Sequence, residues 1–209
     1  MKIAVRRIGG KSTLREFLQG TWKFNRSMTH TENGRSLGSV HNATATFSPV
    51  EAVTQNGNST TNTTNTNTEV QHQQLLYREE GNVIFGKVSA NSTSISFYRE
   101  YLYTFISPTS ADVSFWRPNN EEEHMKFFHN LQVSEEGVGA TSEHLCIDDL
   151  YRATIQILSD CNFNATWVVD GPNKKYTIKT EFTRKLNSET IADSCNREQE
   201  QQFQESQKM

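Results

Sequence analysis

The chain has 209 residues, with 21 Lys and Arg against 24 Asp and Glu and a net charge of −3, which fits one domain of ordinary size plus extensions. The near balance of charge excludes the basic surplus of a nucleic-acid protein. No run approaches the roughly 18 apolar residues that a membrane-spanning helix needs, and the N-terminus lacks the apolar central region of a secretory signal. Three cysteines, Cys146, Cys161 and Cys195, form a sparse and odd set, so all three are expected as free thiols in a reducing compartment.

In chain order, residues 1–13 form a basic leader: Lys2, Arg6, Arg7 and Lys11 stand there, Arg15 follows, and no acid precedes Glu16. The reading is a solvated extension, with a short mitochondrial presequence as the minor alternative, so the expected location is the cytoplasm. Gly9-Gly10-Lys11-Ser12-Thr13 imitates the end of a phosphate-binding loop. Val5 stands where that loop needs glycine and no βαβ unit follows, so the match is a coincidence. Ser12 or Thr13 then caps a short helix with Glu16 in its first turn, and this helix is placed to plug a barrel end ahead of Gly20-Thr21-Trp22.

Strands follow at about 21–31, 38–48, 71–79, 82–89, 94–106, 111–117, 124–133, 142–147, 150–158, 164–171 and 174–185. Asn33-Gly34, Gly81-Asn82, Pro118-Asn119-Asn120, Gly137-Val138-Gly139 and Gly171-Pro172-Asn173 supply turn signals between them. Between two strands, Thr54 to Thr68 is almost pure Asn, Thr, Gly and Ser, a composition that cannot offset its ordering entropy, so residues 54–68 are expected as a disordered insertion loop. Residues 186–209 are rich in Gln and Glu and read as a polar tail. The Asn-x-Ser/Thr sequons, as at Asn42, Asn58, Asn91 and Asn164, are accidents of an Asn/Thr-rich chain without an export signal.

Many short strands with no long helical period between them mean an all-β fold. Charged residues fall on the apolar faces of these strands. Trp22, Phe24, Arg26 and Met28 share one face; so do Leu75, Tyr77 and Glu79, and so do Ile95, Phe97, Arg99, Tyr101 and Tyr103. A charge on such a face is costly unless paired or solvated. A single antiparallel β-barrel over residues 14–185, with about eight to ten strands around a polar-lined cavity, resolves the conflict.

Several segments carry a family pattern: Phe17-Leu18-Gln19-Gly20-Thr21-Trp22 with Arg26, Leu76-Tyr77 with Glu79 and Gly81, and Tyr98-Arg99 with Tyr101 and Phe105. Phe128-His129, His144-Leu145-Cys146 with Asp149 and Tyr151, and Trp167, Val169, Gly171, Pro172, Lys174, Lys175, Tyr176 and Arg184 continue it. On these residues the chain resembles the lipocalin-like (calycin) family named domain of unknown function 6314. The Asn/Thr insertion and the tail after Arg184 depart from the pattern. The resemblance implies a lipocalin-like barrel and no particular reaction. Arg99-x-Tyr101 also resembles the Arg-x-Tyr carboxylate clamp of intracellular fatty-acid-binding barrels.

Candidate binding residues are Arg26, Tyr77, Glu79, Arg99, Tyr101, His129, His144, Asp149, Tyr151, Trp167 and Tyr176. An inward guanidinium offers five donors to a carboxylate or phosphate, and tyrosines add an apolar body with a polar tip. The bland counterpart is an internal salt bridge of Glu79 with Arg26 or Arg99. His129, His144, Cys146 and Asp149 bring nitrogen, sulfur and oxygen donors into one region, but their spacing matches no standard zinc pattern, and no motif requires a cofactor. The expected function is non-catalytic binding of a small amphipathic or anionic molecule. The alternatives are a barrel enzyme, metal-assisted through the His/Cys/Asp set, and a side-chain-filled barrel that serves as an interaction module.

Overall fold

The computed structural model describes residues 13–50, 73–85, 93–117, 125–172 and 174–185. Alternation builds the wall. In β1 (Gly20–His30) Trp22 and Phe24 are buried while Lys23 and Asn25 are exposed. In β3 (Gln74–Phe85) Leu75, Tyr77 and Glu79 are buried while Arg78 and Glu80 are exposed. β1 runs antiparallel to β2 (Ser36–Pro49), which leads in turn to β3, β4 (Ser94–Ser107), β5 (Ser110–Phe115), β6 (Phe127–Val133) and β7 (Val138–Thr141). β7 pairs with β9 (Asp149–Ser159), β9 with β10 (Asn162–Asp170), β10 with β11 (Lys175–Arg184), and β11 returns to β1. Ten antiparallel strands therefore close into a barrel. The short β8 (His144–Cys146) continues the line of β7 along β9.

One end is plugged. Helix α1 (Leu14–Leu18) starts at Thr13, whose Oγ1 accepts from Glu16 N at 3.1 Å, and it buries Leu14, Phe17 and Leu18. Leu14 N donates to Pro108 O in the β4–β5 turn at 2.7 Å, and Trp22 Nε1 donates to Leu18 O at 2.8 Å. The Trp22 ring meets Phe17 at 5.5 Å and Phe163 at 4.8 Å. The Arg184 guanidinium lies 4.1 Å over Trp22 and donates to Gln19 O at 2.9 Å, to Asp160 O at 3.1 Å and to Phe17 O. It thereby satisfies carbonyls that a helix end leaves without partners.

Several expectations change. The Gly81-Asn82 turn does not exist: β3 runs straight through it. Beside it β2 bulges at His41-Asn42, Asn42 taking φ 51°, and a Cβ on Gly81 would lie 2.6 Å from Ala43 Cβ. The glycine serves a close approach of strands rather than a reversal. Cys161, buried near the plugged end, is disulfide-bonded, while Cys146 is a free thiol. Parity misled here, because three cysteines leave room for one bond, and the argument for a reducing compartment lapses with it. The basic leader through Ser12, the tract 54–68, Cys195 and the tail 186–209 lie outside the described residues. Among the described residues no helix is long and apolar enough to cross a membrane.

Candidate functional site

Beyond the plug the barrel holds a cavity of about 810 Å³, within the range of small-molecule sites. Its lining includes Arg26, Tyr77, Glu79, Arg99, Tyr101, His129, His144, Tyr151, Trp167 and Tyr176. Asp149 alone of the candidate residues is not part of it.

The first charged group in the interior is already paired. Arg26 on β1 grips Glu79 on β3 with both terminal nitrogens, Nη2 to Oε2 at 2.7 Å and Nη1 to Oε1 at 3.1 Å. Arg26 Nε donates to Thr180 Oγ1 at 3.0 Å, and Tyr77 Oη donates to Glu79 Oε2 at 2.6 Å. Their side chains are 15% and 3% exposed. Burial works against both charges, yet the hydrogen bonds and charge of Arg26 hold the Glu79 carboxyl below its ordinary value, and Glu79 holds Arg26 above its own. In the β3–β4 ladder Glu79 stands directly opposite Arg99, not Arg26. Arg26 reaches it across β2, whose inward residues there include the small Ala43 and Ala45. The network is closed on itself.

Arg99 is different. It lines the cavity, is exposed, and makes no ion pair among the described residues. Its neighbours are tyrosines. Burial raises the pKa of Tyr101, with the Arg99 charge opposing; burial and a hydrogen bond with Tyr151 push Tyr176 up to about 12, again with Arg99 opposing. Tyr103, partly buried against the core, is raised by desolvation. All three phenols are neutral at pH 7, so the groups beside Arg99 are hydroxyl dipoles, and the carboxylate that feels its charge, Glu79, is already gripped by Arg26.

The facing wall is aromatic. A bulge between β5 and β6 turns both Phe128 and His129 inward. Phe128 stacks on Tyr101 at 5.6 Å and 16° and on Trp167 at 5.6 Å and 13°. His144 meets Phe128 edge-on at 4.6 Å, and His129 meets Trp167 at 5.3 Å. His129 is 3% exposed, its Nδ1 has no hydrogen-bond partner, and burial pushes its pKa down to about 4, so it is a neutral imidazole.

The His/Cys/Asp set does not assemble. The two-residue turn Ile147-Asp148, with Ile147 at φ 59°, brings Asp149 opposite Cys146. There Asp149 Oδ2 pairs with Lys174 Nζ at 3.0 Å, and Lys174 also donates to Tyr151 Oη at 3.0 Å. Those two hydrogen bonds raise the pKa of Lys174. Gly171 covers the other carboxylate oxygen so closely that a Cβ would lie 2.2 Å from Oδ1. Capture by the β10–β11 turn thus removes Asp149 from the cavity. Among the described residues no three His, Cys, Asp or Glu side chains form a group able to hold a metal ion. Sequence reasoning gave no role to Thr180, Tyr103, Phe115 or Lys174. Alternation with Tyr176 and with Arg99 places the first two, whereas Lys174 sits in a turn that no periodicity reaches.

Fold and cavity define a calycin-like antiparallel barrel, stopped at one end by helix α1 and, among the described residues, open at the other. More narrowly, the chain belongs to the family of unknown function DUF6314, whose model matches residues 18–184. None of the curated proteins matches the sequence. Among solved structures it is similar to an S-type phycobiliprotein lyase, CPES, from Guillardia theta, at TM-score 0.56 and 10% identity over 89% of this chain and 100% of that one. A DUF3598-family protein of unknown function from Nostoc punctiforme aligns at TM-score 0.45 and 12% identity over 84% of this chain and 51% of that one. A redesigned β-barrel, mFAP1, bound to DFHBI, aligns at TM-score 0.35 and 13% identity over 83% and 100%. At such identities the likeness is one of fold.

Proposed function

We propose that the protein is a non-catalytic barrel that binds a small amphipathic molecule bearing an anionic group. The observation that carries this reading is the cavity of about 810 Å³ whose lining guanidinium, Arg99, has no carboxylate partner among the described residues. A guanidinium on the cavity lining that spends no donor on a carboxylate is available to an anion, which gains a charge-assisted contact there. Arg26 does not raise the same demand, since Glu79 already occupies it. The cavity weighs against a filled interaction module. The dispersal of His129, His144, Cys146 and Asp149 weighs against the metal-assisted enzyme.

Calorimetric titration of a carboxylate-bearing amphiphile and of its methyl ester, against the native chain and Arg99→Met, tests the proposal. The native chain is expected to prefer the acid, and Arg99→Met to lose roughly ten- to a hundred-fold in affinity for it, the worth of one charge-assisted contact. Equal binding of acid and ester, unchanged in the variant, would leave Arg99 without a ligand role and sink the reading.

A further inference from the structure

The binding reading leaves the body of the ligand open, and the cavity wall speaks to it. Of the 30 described residues that line the cavity, 14 carry an aromatic or imidazole ring, against seven Leu, Ile, Val or Met. A wall suited to a flexible saturated chain is conformable and aliphatic; this one is stiff and ring-lined. The rings also share an orientation. Tyr101 on β4, Phe128 on β6 and Trp167 on β10 come from strands that are not neighbours, yet successive planes differ by only 16° and 13°. Such a series presents parallel π-faces and edges along one direction, the arrangement in which a flat conjugated body finds offset-stacked and edge-to-face contacts.

Charge is placed just as unevenly. Arg26 is cancelled by Glu79, and His129, buried beside Trp167, is neutral. Toward the plug the lining is Leu18, Phe47, Leu131, Phe163 and Phe182. Among the described residues Arg99 makes no ion pair; it is exposed and stands next to Tyr101 and Tyr176, away from the plug.

We infer that the cavity selects a flat, conjugated molecule with one anionic group and holds it body inward, with the anion at the mouth on Arg99 between Tyr101 and Tyr176. This rests on the binding reading above and names the class of ligand that the same cavity takes.

The test uses the full chain at pH 7 and three probes: 1-pyrenebutanoate, 1-pyrenebutanol and hexadecanoate. The expected order is pyrenebutanoate at least tenfold tighter than hexadecanoate, with pyrenebutanol ten- to a hundred-fold weaker than pyrenebutanoate. Arg99→Met removes the difference between the acid and the alcohol. Phe128→Leu weakens pyrenebutanoate about tenfold and leaves hexadecanoate unchanged. If hexadecanoate binds as tightly as pyrenebutanoate and both depend on Arg99, the flat-body inference is overturned while the binding reading stands. If pyrenebutanoate binds tightest but Arg99→Met leaves its lead over the alcohol intact, the head-out placement is overturned. If neither acid binds, the binding reading itself falls. The native-chain comparison decides the body class even where the Phe128 variant fails to fold.

Discussion

Arginines face inward at both ends of this barrel, and they do opposite things. At the plugged end Arg184 has spent its donors on the carbonyls of Phe17, Gln19 and Asp160 and its flat face on Trp22. At the open end Arg99 lies on the same kind of apolar strand face with tyrosines beside it and no carboxylate on it among the described residues. Arg26, between them, is satisfied by Glu79 and Thr180. An inward guanidinium is therefore not in itself a ligand site. What separates structure from recognition is how many of its donors the fold has already used.

That contrast is open to attack by substitution. The largest effect is expected at the centre: Arg26→Met strands the buried Glu79 carboxylate and costs about 3–5 kcal/mol by denaturant unfolding, and adding Glu79→Gln restores much of it. No recovery in the double variant would mean that Arg26 contributes by packing rather than by charge. At the plugged end Trp22→Ala removes a fully buried ring and the Leu18 hydrogen bond, with an expected loss of about 3–5 kcal/mol; a loss below about 1 kcal/mol would show that the plug is dispensable.

The cavity wall responds to pH. The unfolded chain protonates His129 near 6.5, but the buried imidazole resists until about 4. Between those values the unfolded state binds more protons, so stability is complete above pH 6.5 and falls as the pH drops toward 4, by about 3 kcal/mol in all. The depressed Glu79 carboxyl adds its own loss only at lower pH, as it is protonated in turn. Unfolding midpoints between pH 7.5 and 4.5 are expected to slope accordingly, and His129→Leu to flatten the slope; a slope unchanged in that variant would place the titrating group elsewhere. The smallest effect is expected at Arg99. Arg99→Met changes stability by less than about 0.5 kcal/mol, as for a side chain the fold does not use. A loss comparable to that of Arg26→Met would erase the distinction between the two residues.

Much of this was legible in the residues, and the exceptions have causes. Period two placed Arg26, Tyr77, Glu79, Arg99 and Tyr101 on inner faces because a strand leaves side chains only two directions. The choice of Arg26 over Arg99 as the partner of Glu79 was not legible, because it depends on the small Ala43 and Ala45 of the intervening strand. The pairing of Phe128 and His129 on one side was hidden by a bulge, where alternation fails. Gly81 read as a turn because a glycine that admits a neighbouring strand and one that reverses the chain look alike in sequence. Asp149 shares the inward parity of its strand, but Lys174 takes it from a turn more than twenty residues on, and no local pattern announces such a capture.

The pairing of β1 with β11, from Trp22 opposite Arg184 to His30 opposite Tyr176, also sets an order of events at the ribosome. β1 is made early and keeps one bare ladder of amides and carbonyls until β11 emerges, after every other strand of the ring. Non-local pairing of this kind is slow to form and leaves an edge that invites other chains meanwhile. The helix that stops the barrel waits as well, since Arg184, which ties down its last carbonyls, arrives with the final strand. A nascent chain arrested before β11 is thus expected to be an open sheet with an unfastened stopper and no enclosed interior, able to capture its molecule only once synthesis has passed Arg184.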